Sequence, residues 1–232
     1  MRAASFAIGL VAAVALATDA PAQVPPSAAD LAGYAGLFAA AARGDAQGIA
    51  RLAAAGADAG ARDGHARTPL HVATFRSHRE AMRALAAAGA DPNAFEGDRY
   101  DIVTIAAVAD DLPALVQALE LGCSARNVTS RYDGTALIAA SHLGHADVVR
   151  TLIRAGAPLD HVNNLGWTAV IEAIVLGDGG ARHTATLKAL IHAGSDVNLP
   201  DRTGTTPLAL AQARGYREMA ALLEKAGAHP QR

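Results

Sequence analysis

The sequence is short of three things. It has one cysteine in 232 residues, so no internal disulfide and no zinc ribbon is possible. Aromatic residues make up only 4% of it, so no core can be built around bulky rings. Net charge is also scarce: 20 Lys and Arg stand against 22 Asp and Glu. A balance near −2 gives no broad basic surface for nucleic acid or for anionic membranes. Catalytic signatures are missing as well. There is no Gly-x-Ser-x-Gly elbow, no Walker sequence and no His-Glu-x-x-His, so nothing in the sequence speaks for an enzyme and no catalytic residue or cofactor is assigned.

What the chain has in excess is small apolar residues. Alanine alone contributes 59 positions, which accounts for much of the 51% hydrophobic content. Cores made of such residues need elements that approach closely many times over. The longest apolar run, Phe6–Ala17, falls short of the roughly 20 residues needed to span a bilayer and reads as a signal-peptide core. Small-x-small sites follow, and Pro21 favours cleavage after Ala22. Residues 1–22 are therefore expected to be a signal peptide, 23–33 a linker, and the mature chain a soluble periplasmic protein with no membrane insertion. Cleavage removes Arg2 and Asp19 and leaves the balance at −2.

The remainder is organised by an internal repeat. Gly56, Gly89, Gly122, Gly156, Gly194 and Gly227 are spaced by 33, 33, 34, 38 and 33 residues. Ahead of these glycines runs a second ladder: Thr68-Pro69-Leu70-His71-Val72-Ala73, Thr135–Ala140, Thr168–Ala173 and Thr206–Ala211, with degenerate copies at Ala35–Ala40 and Asp101–Ala106. Alignment gives an invariant alanine column: Ala40, Ala73, Ala106, Ala140, Ala173 and Ala211. Two aliphatic columns, starting at Ile49 and Leu52, lie three residues apart and so share a helix face. Each unit reads as helix, turn, helix, closed by a glycine in the left-handed conformation.

These residues resemble the ankyrin repeat, through its Thr-Pro-Leu-His-x-Ala opening and its period of about 33 residues. The resemblance covers about Tyr34 to Ala228 and extends to exported ankyrin proteins of Gram-negative bacteria. It implies an all-α solenoid of six helix pairs with short β-hairpin fingers, in units of about 34–63, 64–95, 96–129, 130–162, 163–200 and 201–229. It further implies a concave groove formed by the fingers and the first helices.

Counted from the Thr column, the groove should receive His65, Arg67, Phe75 and Arg76 from unit two and Asp98, Arg99 and Tyr100 from unit three. Unit four adds Arg131, Tyr132, Asp133 and His142; unit five Leu165, Trp167, Val175 and Leu176; unit six Arg202, Thr205 and Arg214. Aromatic and Arg side chains dominate protein interfaces, so the expected function is the binding of a protein partner, such as a periplasmic enzyme or toxin, by a monomer. The triplet Arg-Tyr-Asp occurs at 99–101 and 131–133; pairing between neighbouring fingers is the rival explanation for its charges. A small ligand or metal held by His65, His142 and nearby tyrosines is the second functional reading. His71, His78 and His145 fall in columns where hydrogen bonding to turns is expected, and Cys123 reads as a buried, inert thiol. The triplet Asn127-Val128-Thr129 matches a glycosylation sequon. Unit five carries five extra residues, since Thr168 to Gly194 is 26 positions against 21 in units two, four and six. Gly177–Thr184 is thus either a neutral insertion or a contact loop.

Overall fold

The computed structural model describes residues 23–230, so the expected signal peptide lies outside the described residues. Among them are thirteen helices. A short α1 (Ala28–Gly33) precedes six pairs: α2 (Gly36–Arg43) with α3 (Ala46–Ala54), α4 (Pro69–Phe75) with α5 (Arg79–Ala87), and α6 (Ile102–Val108) with α7 (Leu112–Glu120). The series continues with α8 (Ala136–His142) and α9 (Ala146–Arg154), α10 (Ala169–Val175) and α11 (Ala181–His192), and α12 (Pro207–Ala213) and α13 (Arg217–Lys225). None of the described helices is long and apolar enough to cross a membrane.

First helices begin where the Thr column places them. The side chains of Thr68, Asp101, Thr135, Thr168 and Thr206 each accept a backbone N–H from the third residue on, satisfying an otherwise orphaned donor. Second helices end in the left-handed glycines of the repeat, with φ between 81° and 93° at Gly56, Gly89, Gly122, Gly156, Gly194 and Gly227. A side chain at these positions would strain the backbone, which explains why the ladder admits nothing else.

Units stack so that first helices form an inner layer and second helices an outer one, each touching its counterpart in the next unit. The alanine column is the seam of the inner layer, and none of its six members is more than 1% exposed. An added methylene there would push neighbouring helices apart in a core packed to crystal-like density. The outer layer is filled by Ile49, Met82, Leu115, Val149 and Leu187, all fully buried.

Two expectations are corrected. Residues 23–33 are not simply a linker: Ser27 and Asp30 form a reciprocal capping box that starts α1. The fingers are not β-hairpins either. Their only bridge among the described residues is Thr129 with Gly134. Elsewhere two backbone bonds close each finger: the first N–H donates to the last carbonyl, Asp63 to Arg67, Glu96 to Tyr100, Asn163 to Trp167 and Asp201 to Thr205, and the fourth N–H donates back to the first carbonyl. A side chain does the remaining work. Carboxylate or amide oxygens of Asp63, Glu96, Asn163 and Asp201 accept the N–H groups two and four residues on, so the loop is held from within and needs no ladder.

Candidate functional site

The turn-setting residue, Asp63, Glu96, Ser130, Asn163 or Asp201, fixes which finger positions face solvent. Two residues later comes the tip, occupied by His65, Asp98, Tyr132, Leu165 and Thr203, all exposed. Three residues later the chain turns left-handed, at Ala66, Arg99, Asp133, Gly166 and Gly204. Four residues later the side chain points back under the finger. Arg67 and Tyr100 occupy that inward position and are 0% and 7% exposed.

The groove assignment of Arg67 and Tyr100 is therefore corrected. Burial raises the Tyr100 hydroxyl to a pKa of about 12, and the residue packs as core. Arg67 is the hub of a polar clasp. Its Nε donates to Asp63 at 2.7 Å, its NH2 to Asp30 at 2.9 Å and its NH1 to the Val24 carbonyl at 3.3 Å, while the Tyr34 hydroxyl donates to Asp63 at 2.6 Å. The hydrogen bond from Arg67 holds the Asp30 carboxyl down to about 2. The two Arg-Tyr-Asp triplets also prove to be two positions out of register, which is why Tyr100 is buried and Tyr132 exposed. Arg99 pairs with Asp133 at 2.9 Å, the rival explanation for those charges, and both side chains are half exposed.

The other groove candidates keep a solvent-facing surface. His65, Arg76, Arg99, Arg131, Tyr132, Leu165 and Arg202 are exposed, and Phe75, Asp133, His142, Trp167, Val175, Leu176, Thr205 and Arg214 partly so. Arg131 stacks 5.8 Å over the Tyr132 ring. Column counting missed Phe95, Val128 and Val162, which are exposed at the bases of the fingers of units three to five. Together with Tyr132 and Leu165 they are five of the seven large exposed hydrophobics of the described residues; the others are Val24 and Val116. Their signal was legible as bulky residues one or two places ahead of the turn-setting position.

The comparisons with known proteins follow this geometry. The family model for ankyrin repeats in three copies matches residues 103–201, and that for a single ankyrin repeat matches 65–95. A crystal structure of an ankyrin repeat domain from Acinetobacter baumannii AYE superposes with a TM-score of 0.79 at 42% identity, covering 83% of this chain and 98% of that one. The chain belongs to the ankyrin repeat family. The ankyrin repeat protein YahD of Escherichia coli (strain K12) is 40% identical over 103 residues, which are 44% of this chain and 51% of YahD. Ankyrin repeat and KH domain-containing protein mask-1 of Caenorhabditis elegans is 34% identical over 132 residues, 56% of this chain but 5% of that protein. The chain thus spans about half of one curated relative it matches and a small part of the other. Ankyrin repeats are in general protein–protein interaction modules and non-enzymatic scaffolds.

In this ankyrin array the histidines hold backbone. His71 accepts the Thr68 N–H at Nδ1 and donates from Nε2 to the carbonyls of Ala94 and Tyr100, and burial lowers its pKa to about 4. His78 and His145 donate to Ala42 and Ala107 of the preceding units. His65 and His142 stand two units apart, and among the described residues no three His, Cys, Asp or Glu side chains gather closely enough to hold a metal. Cys123 is buried, and burial pushes its thiol pKa well up. The amide of Asn127 is already engaged, donating to Asn93 and Asp101.

Unit five is the irregular one. Its insertion forms the loop 177–180 and lengthens α11 to 12 residues. The added turn folds back on the array: His183 donates to the His142 carbonyl and meets Asp178, Arg182 reaches Asp110 at 3.4 Å, and the Tyr216 hydroxyl donates to the Gly177 carbonyl. Its inner helix carries Glu172, 4% exposed in a column that is apolar in units two, three, four and six. Burial raises its pKa to about 7, against the hydrogen bond from Asn163 Nδ2 at 2.8 Å. Asn163 is the one amide among the turn-setting residues: its oxygen accepts the finger N–H groups while its nitrogen serves Glu172. A carboxylate there would face another across the core.

Proposed function

We propose that this ankyrin protein is an exported, non-enzymatic binding module that takes a protein partner in the groove of units two to five, centred on the fingers of units three to five. The observation that carries the reading is the concentration of exposed apolar side chains, Phe95, Val128, Tyr132, Val162 and Leu165, on consecutive fingers of a chain with few aromatics. Contiguous exposed apolar surface rimmed by charge is the usual mark of an interaction site. Arg131, held against Tyr132, adds the kind of side chain that carries binding energy. Export rests on the apolar run Phe6–Ala17 and the small residues before Gln23. Cleavage after Ala22 would leave Val24 and Asp30, and with them the clasp on Arg67, in the mature chain.

The test is recovery of partners from a periplasmic extract by the wild type and by a Tyr132→Ala, Leu165→Ala, Trp167→Ala variant with unchanged melting temperature. Selective loss of a partner from the variant is expected; equal recovery of every partner would sink the groove assignment. Mass spectrometry of the protein from the same fraction should place its first residue at Gln23.

A further inference from the structure

The outer layer carries a second feature, on the face opposite the groove. An open cleft of about 540 Å³ lies along the seam where α9 packs on α11, within the size range of small-molecule sites. Arg150, Ile153 and Arg154 line it from α9 at the i, i+3, i+4 spacing of one helical face; Ala185, Lys188 and Ala189 line it from α11 at the same spacing, with His192 one turn further on. Cations therefore face cations over an apolar floor. Of these only Arg150 has a carboxylate partner, Asp147 on its own helix. The Arg154 guanidinium donates to the neutral Thr151 hydroxyl at 2.9 Å, and α11 contains no acidic residue at all. At the corresponding positions of α7, two units earlier, the chain has Val116 and Glu120, whereas α9 has Arg150 and Arg154, so the basic pairing is confined to the α9–α11 seam.

Two fixed charges, Arg154 and Lys188, are left without a carboxylate partner among the described residues. Adjacent like charges repel, and the arrangement is relieved by an anion whose charge matches theirs. A phosphate monoester carries between −1.5 and −2 near neutral pH, offers acceptor oxygens to both cations, and can lay an apolar body on Ile153 and Ala189. We propose that the α9–α11 cleft binds a small alkyl or aryl phosphate monoester, independently of the groove.

The experiment is titration of the purified protein with phenyl phosphate, with phenol and inorganic phosphate as the separate halves of the ligand, read by calorimetry and by backbone amide shifts. Saturable binding of phenyl phosphate is expected, tighter than either half, with shifts confined to α9 and α11. Arg154→Gln and Lys188→Gln, both at exposed positions, should each weaken it about tenfold, the loss of one charge-assisted hydrogen bond. Absence of saturation at millimolar ligand overturns the proposal. So does phenol or inorganic phosphate binding as tightly, shifts spread beyond the two helices, or affinity unchanged in both variants while their melting matches wild type.

Discussion

Replacing Arg67 tests whether the first unit is sealed by the chain that precedes it. The guanidinium is wholly buried and spends its donors on Asp63, Asp30 and the Val24 carbonyl. Arg67→Ala would strand the Asp63 carboxylate, whose side chain is 9% exposed. Breaking a buried pair from one side typically costs about 3–5 kcal/mol. The lower end applies here, because Asp63 keeps the Tyr34 hydroxyl and two backbone N–H groups, and because Asp30 is exposed enough to rehydrate. A loss of about 3 kcal/mol corresponds to a melting point lower by about 10 °C for a chain of this size. In a nearest-neighbour array the damage should be local, so hydrogen exchange should quicken in α1 to α4 and leave α8 to α11 protected. The double variant Arg67→Met, Asp63→Asn removes both charges and should recover much of the loss. Arg67→Ala melting within about 2 °C of wild type, or protection lost evenly along the array, would refute the reasoning.

Two other perturbations follow from the buried groups. His71 has a pKa of about 4 against 6.5 unfolded, so its contribution is lost as pH falls from 6.5 towards 4. Glu172 has about 7 against 4.5, so its burial costs progressively more as pH rises from 4.5 towards 7. Each effect amounts to at most about 3 kcal/mol and they oppose one another, so the wild-type melting point should be nearly flat between these limits. Glu172→Gln should leave the His71 slope alone and stabilise most above pH 7; parallel pH profiles for variant and wild type would contradict this. Gly179→Ala should destabilise by about 1–2 kcal/mol in urea unfolding, since φ there is +70° and a Cβ would lie 2.4 Å from the Tyr216 ring. An unchanged midpoint would mean that the inserted loop is not held by Tyr216.

The repeat, the helix pairs and the buried columns were legible because each depends on local chemistry: a capping hydroxyl, a left-handed glycine, an alanine where nothing larger fits. Arg67 was not, because one of the two carboxylates that make a buried arginine tolerable there, Asp30, lies 37 residues away and outside the repeat. Tyr100 was misplaced for a different reason. Matching triplets invite matching roles, yet they sit at different distances from Glu96 and Ser130, and that distance decides between core and tip. The inserted loop was visible by counting, but its use was not, since its contacts to Asp110, His142 and Tyr216 lie between 39 and 72 residues away in the chain. The apolar finger bases escaped notice because counting from the Thr column stopped short of them, although bulky residues stand one or two places ahead of the turn-setting position in units three to five.

The fingers are strung together sparingly. Gly97 donates to the His65 carbonyl, Ser130 to Arg99 and Asn164 to Tyr132, one backbone link per junction. No such link joins the finger of unit six to that of unit five among the described residues; there the Arg202 side chain merely rests against Gly166. From the second unit to the fifth the fingers are thus tied backbone to backbone, and the sixth stands outside that chain of links. A guest seated on Tyr132 and Leu165 would therefore rest on fingers that share backbone bonds with their neighbours, not on the unlinked end of the row.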